Sequence, residues 1–139
     1  MLRDRGPGTA DEEEWWMSDS VDDRRSAAAK AYIDALVTHD PSSVSLHPAC
    51  TRVEFGIKTG RNGDHIARSL ARGPQFRIIH AVGDLTTEVA GHTVTTRYWV
   101  HVRPKFVGLA APVSETFVVD DEGRIRTIVA RFGLPRRRL

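Results

Sequence analysis

The sequence predicts one small α+β domain in which N-terminal helices pack on a curved, mostly antiparallel sheet whose concave face encloses a pocket. Three observations carry this. Helical spacing is confined to the first half of the chain. From Phe76 onward, β-branched and aromatic runs alternate with turn signals. The length of 139 residues admits a single core and no second domain. Helices first and strands after argue for helices covering one face of a sheet.

The opening stretch, residues 1–19, reads as a disordered tail. Gly6, Pro7 and Gly8 are followed by the acidic run Asp11 to Glu14, which buries too little apolar area to offset its ordering entropy. Trp15, Trp16 and Met17 interrupt it, and Met17 is a candidate natural start. The domain is expected over 20–135. Ser20 and Asp23 suggest a helix cap, after which Ala28, Ala31, Tyr32, Ala35 and Leu36 form one apolar stripe ending near His39. Asp40-Pro41 predicts a short second helix, with Val44 and Leu46 facing inward. Arg52 to Ile57 reads as a strand and Thr59 to Gly63 as a loop. A third helix follows, with Ile66, Ala67, Leu70 and Ala71 inward, and stops at Gly73-Pro74. Four strands are expected beyond it: Phe76 to Val82, or on through Leu85 to Val89; Thr93 to Arg103; Val113 to Val119; and Arg124 to Phe132. The closing residues, 136–139, read as a basic tail.

Composition excludes several classes. Twenty Lys and Arg against 18 Asp and Glu leave a net charge of +2, too little to indicate nucleic acid. No apolar run approaches the length of a membrane span, and the N-terminus has no apolar signal core, so a soluble cytoplasmic protein is expected. The single cysteine, Cys50, cannot form an internal disulfide and reads as a small buried hydrophobe. No phosphate loop, nucleophile elbow or dinucleotide fingerprint is present, and His39, His47, His65 and His92 lack ligand spacing. No cofactor and no metal are expected.

The order of elements is similar to that of the nuclear transport factor 2-like superfamily, which includes the SnoaL-like and ketosteroid isomerase-like proteins. Two segments carry the resemblance: Ala31 to Leu36 followed by His39-Asp40, and the closing hairpin from Ala111 to Gly133. It implies a cone-shaped half-barrel with an internal pocket, and a homodimer formed through the convex sheet face by residues such as Thr95, Arg97, Thr116 and Val118.

Four residues are candidates for acid and base chemistry. Tyr32 falls where the resemblance implies a tyrosine that donates a hydrogen bond to a developing enolate oxygen. Glu115 aligns with the family's second, protonated acid. It shares strand parity with Phe117 and Val119, so an apolar cavity would raise its pKa. The ungapped alignment sets Phe55 at the family's catalytic aspartate, with Glu54 beside it, so Glu54 needs a bulge to reach the pocket. His80 shares a predicted strand face with Phe76, Ile78 and Val82 and is a natural base near neutral pH. Between Thr93 and Arg103 the inward set is either Tyr98 and Val100, or Arg97, Trp99 and His101. Phe55, Phe76, Trp99, His101, Phe117 and Phe132 are the candidate ligand-binding residues.

Two functions follow from this reading. One is an enzyme performing acid/base isomerisation, cyclisation or hydrolysis on a small hydrophobic or cyclic metabolite. The other is a module that binds such a ligand without turnover, its pocket dominated by aromatic side chains. Nucleic acid and membrane are not expected partners. Binding of an acidic partner through Arg131 and Arg136 to Arg138 is a third and weaker possibility.

Overall fold

In the computed structural model the described residues are 9–138, with side chains from Ser20 onward. Residues 1–8 of the expected tail lie outside them. Helix α1 runs from Thr9 to Thr38, so Ser20 sits inside the helix and does not cap it. Its buried stripe is Arg25, Ala29, Tyr32, Ile33 and Leu36, at the three- and four-residue spacing that faces one side of a helix. This is rotated slightly from the predicted stripe, since Ala28 and Ala31 are only half-buried. The helix ends where His39 adopts a left-handed conformation (φ 60°) and its N–H donates to the Ala35 carbonyl at 2.8 Å. Asp40 then caps a single 3-10 turn, Pro41–Ser43, by accepting from the Ser42 N–H at 3.0 Å.

Strand β1 (Leu46–Glu54) starts earlier than predicted, and β2 (Ile57–Gly60) occupies part of the expected loop. The two are joined by Phe55 and Gly56, both with positive φ (52° and 76°), the geometry of a tight hairpin turn. Gly60 is sterically required, because a Cβ there would lie 2.4 Å from Ile66 Cγ1. That close approach seats helix α2 (Gly63–Arg72) on the sheet, with Ile66 and Leu70 fully buried. Asn62 caps α2 by accepting from the His65 N–H at 2.8 Å.

The strand predicted to begin at Phe76 begins at Ile79. Pro74 not only ends α2 but occupies the first position of a further turn, α3 (Pro74–Arg77), which takes up Phe76. Strands β3 (Ile79–Ala90), β4 (Thr93–Val102), β5 (Leu109–Val119) and β6 (Ile125–Phe132) follow. Arg136–Arg137, expected in a tail, form β7 and pair with Leu109 and Ala110.

The sheet order is β2-β1-β6-β5-β4-β3, with β7 on β5. Every pairing is antiparallel except β1 with β6. Register shifts in β3 near Ala81 and Asp84, and in β1 between Arg52 and Val53, accompany the curvature of the sheet. The sheet stays open. Phe117, Val119, Ile125 and Ile128 join Ile33 and Leu36 in the buried core, and part of the concave face is left hollow.

Candidate active site

The hollow is a cavity of about 320 Å³. Leu36, Phe76, Ile79, Val100, Val102 and Phe132 form apolar walls, and Phe55 and Gln75 also line it. Four polar side chains share this space: Tyr32 from α1, Glu54 from β1, Tyr98 from β4 and Glu115 from β5.

Alternation along β5 points Val113, Glu115, Phe117 and Val119 inward, so Glu115 is almost fully buried. Tyr98, on the neighbouring strand, donates its hydroxyl to Glu115 Oε1 at 2.5 Å. Burial raises the Glu115 pKa to about 7, and the charge of Glu54 adds to the rise. The Tyr98 hydrogen bond and the Arg52 charge act in the opposite direction. Both phenols are also pushed upward, first by burial and next by the charge of Glu115. They therefore remain neutral donors at physiological pH.

Beside this cluster lies a guanidinium. Arg52 on β1 is fully buried and bonded on all sides. It donates to the Tyr32 hydroxyl oxygen at 3.1 Å, to Ser69 Oγ at 3.0 Å, and to Thr59 Oγ1 and O at 3.2 and 3.1 Å. Its guanidinium carbon stands 4.8 Å from the centre of the Phe76 ring, and Nε is 3.9 Å from Glu54 Oε2. Because Arg52 occupies an acceptor position on Tyr32, the Tyr32 proton is available to another oxygen.

Glu54 reaches the cavity because Cys50, Arg52 and Glu54 share one strand face, with the register shift to β2 falling between Arg52 and Val53. Phe55 lies in the turn beyond and is largely exposed. Its ring centre is 5.4 Å from that of Phe132. A bulky residue at φ 52° carries roughly 1 to 2 kcal/mol of backbone strain. The aromatic contact is worth about 0.5 to 1.5 kcal/mol. Phe55→Asn is therefore expected to leave the urea midpoint nearly unchanged while weakening any ligand held in the cavity. A loss above about 2 kcal/mol would show instead that Phe55 holds the hairpin itself.

Four candidates do not line the cavity: His80, Trp99, His101 and Phe117. His80, beside a register shift in β3, lines a separate cleft between α1 and β3 together with Ile33, Val37 and Leu85. Partial burial and the Lys105 and Arg103 cations push its pKa down. The β4 parity is settled by Tyr98 and Val100 facing inward. Trp99 and His101 therefore belong to the opposite face, and His101 is 6.3 Å from His80, ring to ring. Phe117 packs edge-on against Tyr32, at 5.3 Å between ring centres, and supports it from beneath the lining. Cys50 is buried, with its thiol pushed up to about 11 by desolvation, and does not serve as a nucleophile.

Arg52 was the residue least visible in the sequence, where it marked only a strand start. Its signal is parity: it alternates with Cys50 and Glu54, so a buried Cys50 commits an arginine to the interior.

Helices packed on an open, strongly curved sheet around an internal cavity are the fold of nuclear transport factor 2-like proteins. The chain belongs to the family described as a domain of unknown function, DUF8021, whose model matches residues 19–132. No curated protein matches it in sequence. Among solved structures it is similar to a protein from Agrobacterium tumefaciens described as a SnoaL-like family isomerase, at 17% identity and TM-score 0.61, covering 80% of this chain and 98% of the other. An LEH-like epoxide hydrolase from M. tuberculosis matches at 24% identity and TM-score 0.60, over 78% and 82% of the two chains. A steroid delta-isomerase from Pseudomonas aeruginosa matches at 15% identity and TM-score 0.58, over 80% of each. At these identities the likeness establishes the fold, and the chemistry has to be argued from the site. Among the described residues no helix is long and apolar enough to cross a membrane.

Proposed function

We propose that the chain binds a small hydrophobic, oxygen-bearing metabolite in this cavity and moves a proton on it. The supporting observation is the meeting of two carboxylates and two phenols in one apolar cavity, with a single buried guanidinium beside them. One cation and two acids are closest to neutral when one acid holds its proton. Arg52 stands next to Glu54, and burial favours protonation at Glu115. Glu54 is then the base. Neutral Glu115 and the Tyr32 hydroxyl donate hydrogen bonds to the substrate oxygen on which negative charge develops.

This division of roles suits isomerisation, cyclisation or hydrolysis, and the structural neighbours include isomerases and an epoxide hydrolase. The apolar walls also suit a binding protein without turnover, and Glu54 separates the two readings. Native mass spectrometry and thermal-shift measurements against steroids, terpenoids, polyketides and epoxides are expected to find a class giving a saturating rise in melting temperature. Tyr32→Phe is expected to weaken that ligand up to about tenfold. Glu54→Gln should leave binding in place and reduce turnover by about 10²- to 10⁴-fold. Binding with no turnover in the unmodified protein would favour the non-catalytic reading. No saturating shift with any class would overturn the proposal.

A further inference from the structure

The outer face of the sheet carries a second, chemically different cavity of about 550 Å³. Its floor is a single cross-strand row. Thr86 on β3 pairs with Arg97 on β4, Arg97 with Ser114 on β5, and Ser114 with Arg131 on β6. Directly paired residues point to the same side of a sheet, so two guanidiniums alternate with two hydroxyls along this row. All four residues are exposed. Arg97 and Arg131 stand two strands apart, about 10 Å at the backbone. From that separation both side chains can converge on one small anion above Ser114. Neither arginine is ion-paired among the described residues.

One wall is Trp99, and β7 with the residue after it, Arg138, holds cations against it. The Arg138 guanidinium lies 4.1 Å from the ring centre and that of Arg136 lies 5.5 Å away. Arg138 is tethered by Asp84 through Nη2, while its buried Nη1 has no hydrogen-bond partner. Asp84 is the one carboxylate lining the cavity.

We infer that this groove is a binding site for a small tetrahedral oxyanion, a phosphate or phosphate ester, gripped by Arg97 and Arg131 with Ser114 donating from below and Arg138 at its edge. Paired planar donors and a hydroxyl at this spacing match the several acceptor oxygens of a phosphate group. The site lies on the opposite sheet face from the Tyr32–Glu115 cavity, so it stands or fails independently of the catalytic proposal.

The test is calorimetric titration of the full chain with inorganic phosphate and with pyrophosphate, at constant ionic strength set by sodium chloride. Saturable one-site binding is expected. Arg97→Ala and Arg131→Ala should each weaken it about tenfold or more, with unchanged melting temperature. Arg68→Ala, removing an exposed arginine from α2, should leave it unchanged. Four results would overturn the inference: no saturable heat, an equal loss in Arg68→Ala, binding of single-stranded DNA without binding of free phosphate, or a phosphate-free dimer that buries Arg97 and Arg131.

Discussion

Glu115→Gln is expected to stabilise the protein at alkaline pH and to remove a component of its pH dependence. The folded pKa of Glu115 is raised to about 7 from an ordinary value of 4.5. Between those values the folded state binds more protons than the unfolded state, so this group makes stability fall as pH rises through that window. Fully developed above pH 7, the loss is on the order of 3 kcal/mol. Urea denaturation from pH 4.5 to 8.5 should show the native curve declining across the window and the variant lacking that decline. The two curves should converge only towards pH 4.5 and below, where Glu115 becomes protonated in the unfolded as well as the folded state and is alike in charge and size to a glutamine. Above pH 7 the variant should be more stable by about 1 to 3 kcal/mol, the spread reflecting the second amide proton, which needs a buried acceptor. Asp120 and Asp121 act in the opposite direction. Backbone hydrogen bonds, from Arg124 first, hold Asp120 below its ordinary value, and the hydrogen bond with His92 does the same for Asp121. Their contributions are lost only as pH falls below about 4, so subtracting the variant curve isolates Glu115. Parallel curves across the whole range would show that Glu115 is ionised throughout and would remove the neutral donor from the proposed mechanism.

The same residue shows how far the sequence carries. Alternation with Phe117 and Val119 pointed Glu115 into an apolar interior if that face was concave, and the structure places all three on that face. Helical spacing set Tyr32 within an apolar stripe, and the family resemblance supplied its reading as a hydrogen-bond donor. What the sequence concealed was register. Pro74 reads equally well as the end of one helix and the start of another. Choosing the first pulled Phe76 and His80 onto one predicted strand, whereas Phe76 lies in α3 and His80 faces a different cleft. Along Arg97 to His101 both parities offered a plausible lining, and neighbouring strands, not local residues, select Tyr98. The same selection turns Arg97 and Trp99 outward, where they build the groove that a basic C-terminal tail alone did not suggest. Arg52 was hidden by frequency: arginine is seldom buried, so a fully enclosed guanidinium is found only when its acceptors on three other elements are known.

Removing that guanidinium should have the largest effect on stability. Arg52 joins β1 to Thr59 on β2, Tyr32 on α1 and Ser69 on α2, and it stands beside Glu54. Arg52→Met removes the cation and every donor at once, leaving a partly buried carboxylate without its counter-charge. The expected cost is about 3 to 5 kcal/mol, a large share of an ordinary domain's total stability. Arg52→Met combined with Glu54→Gln should recover about 1 to 2 kcal/mol of this, because the stranded charge is gone. Strict additivity in that cycle would mean that water, not Arg52, balances Glu54. Arg52→Lys is the more informative change for function. It preserves the positive charge, but a single ammonium cannot span Thr59, Tyr32 and Ser69 together. Without a fixed donor on its oxygen, the Tyr32 hydroxyl is free to rotate and no longer presents its proton in one direction. The lysine variant should therefore fold, and turnover should fall by more than the stability loss explains. A guanidinium that touches no ligand would in this way set the direction in which the site donates its proton.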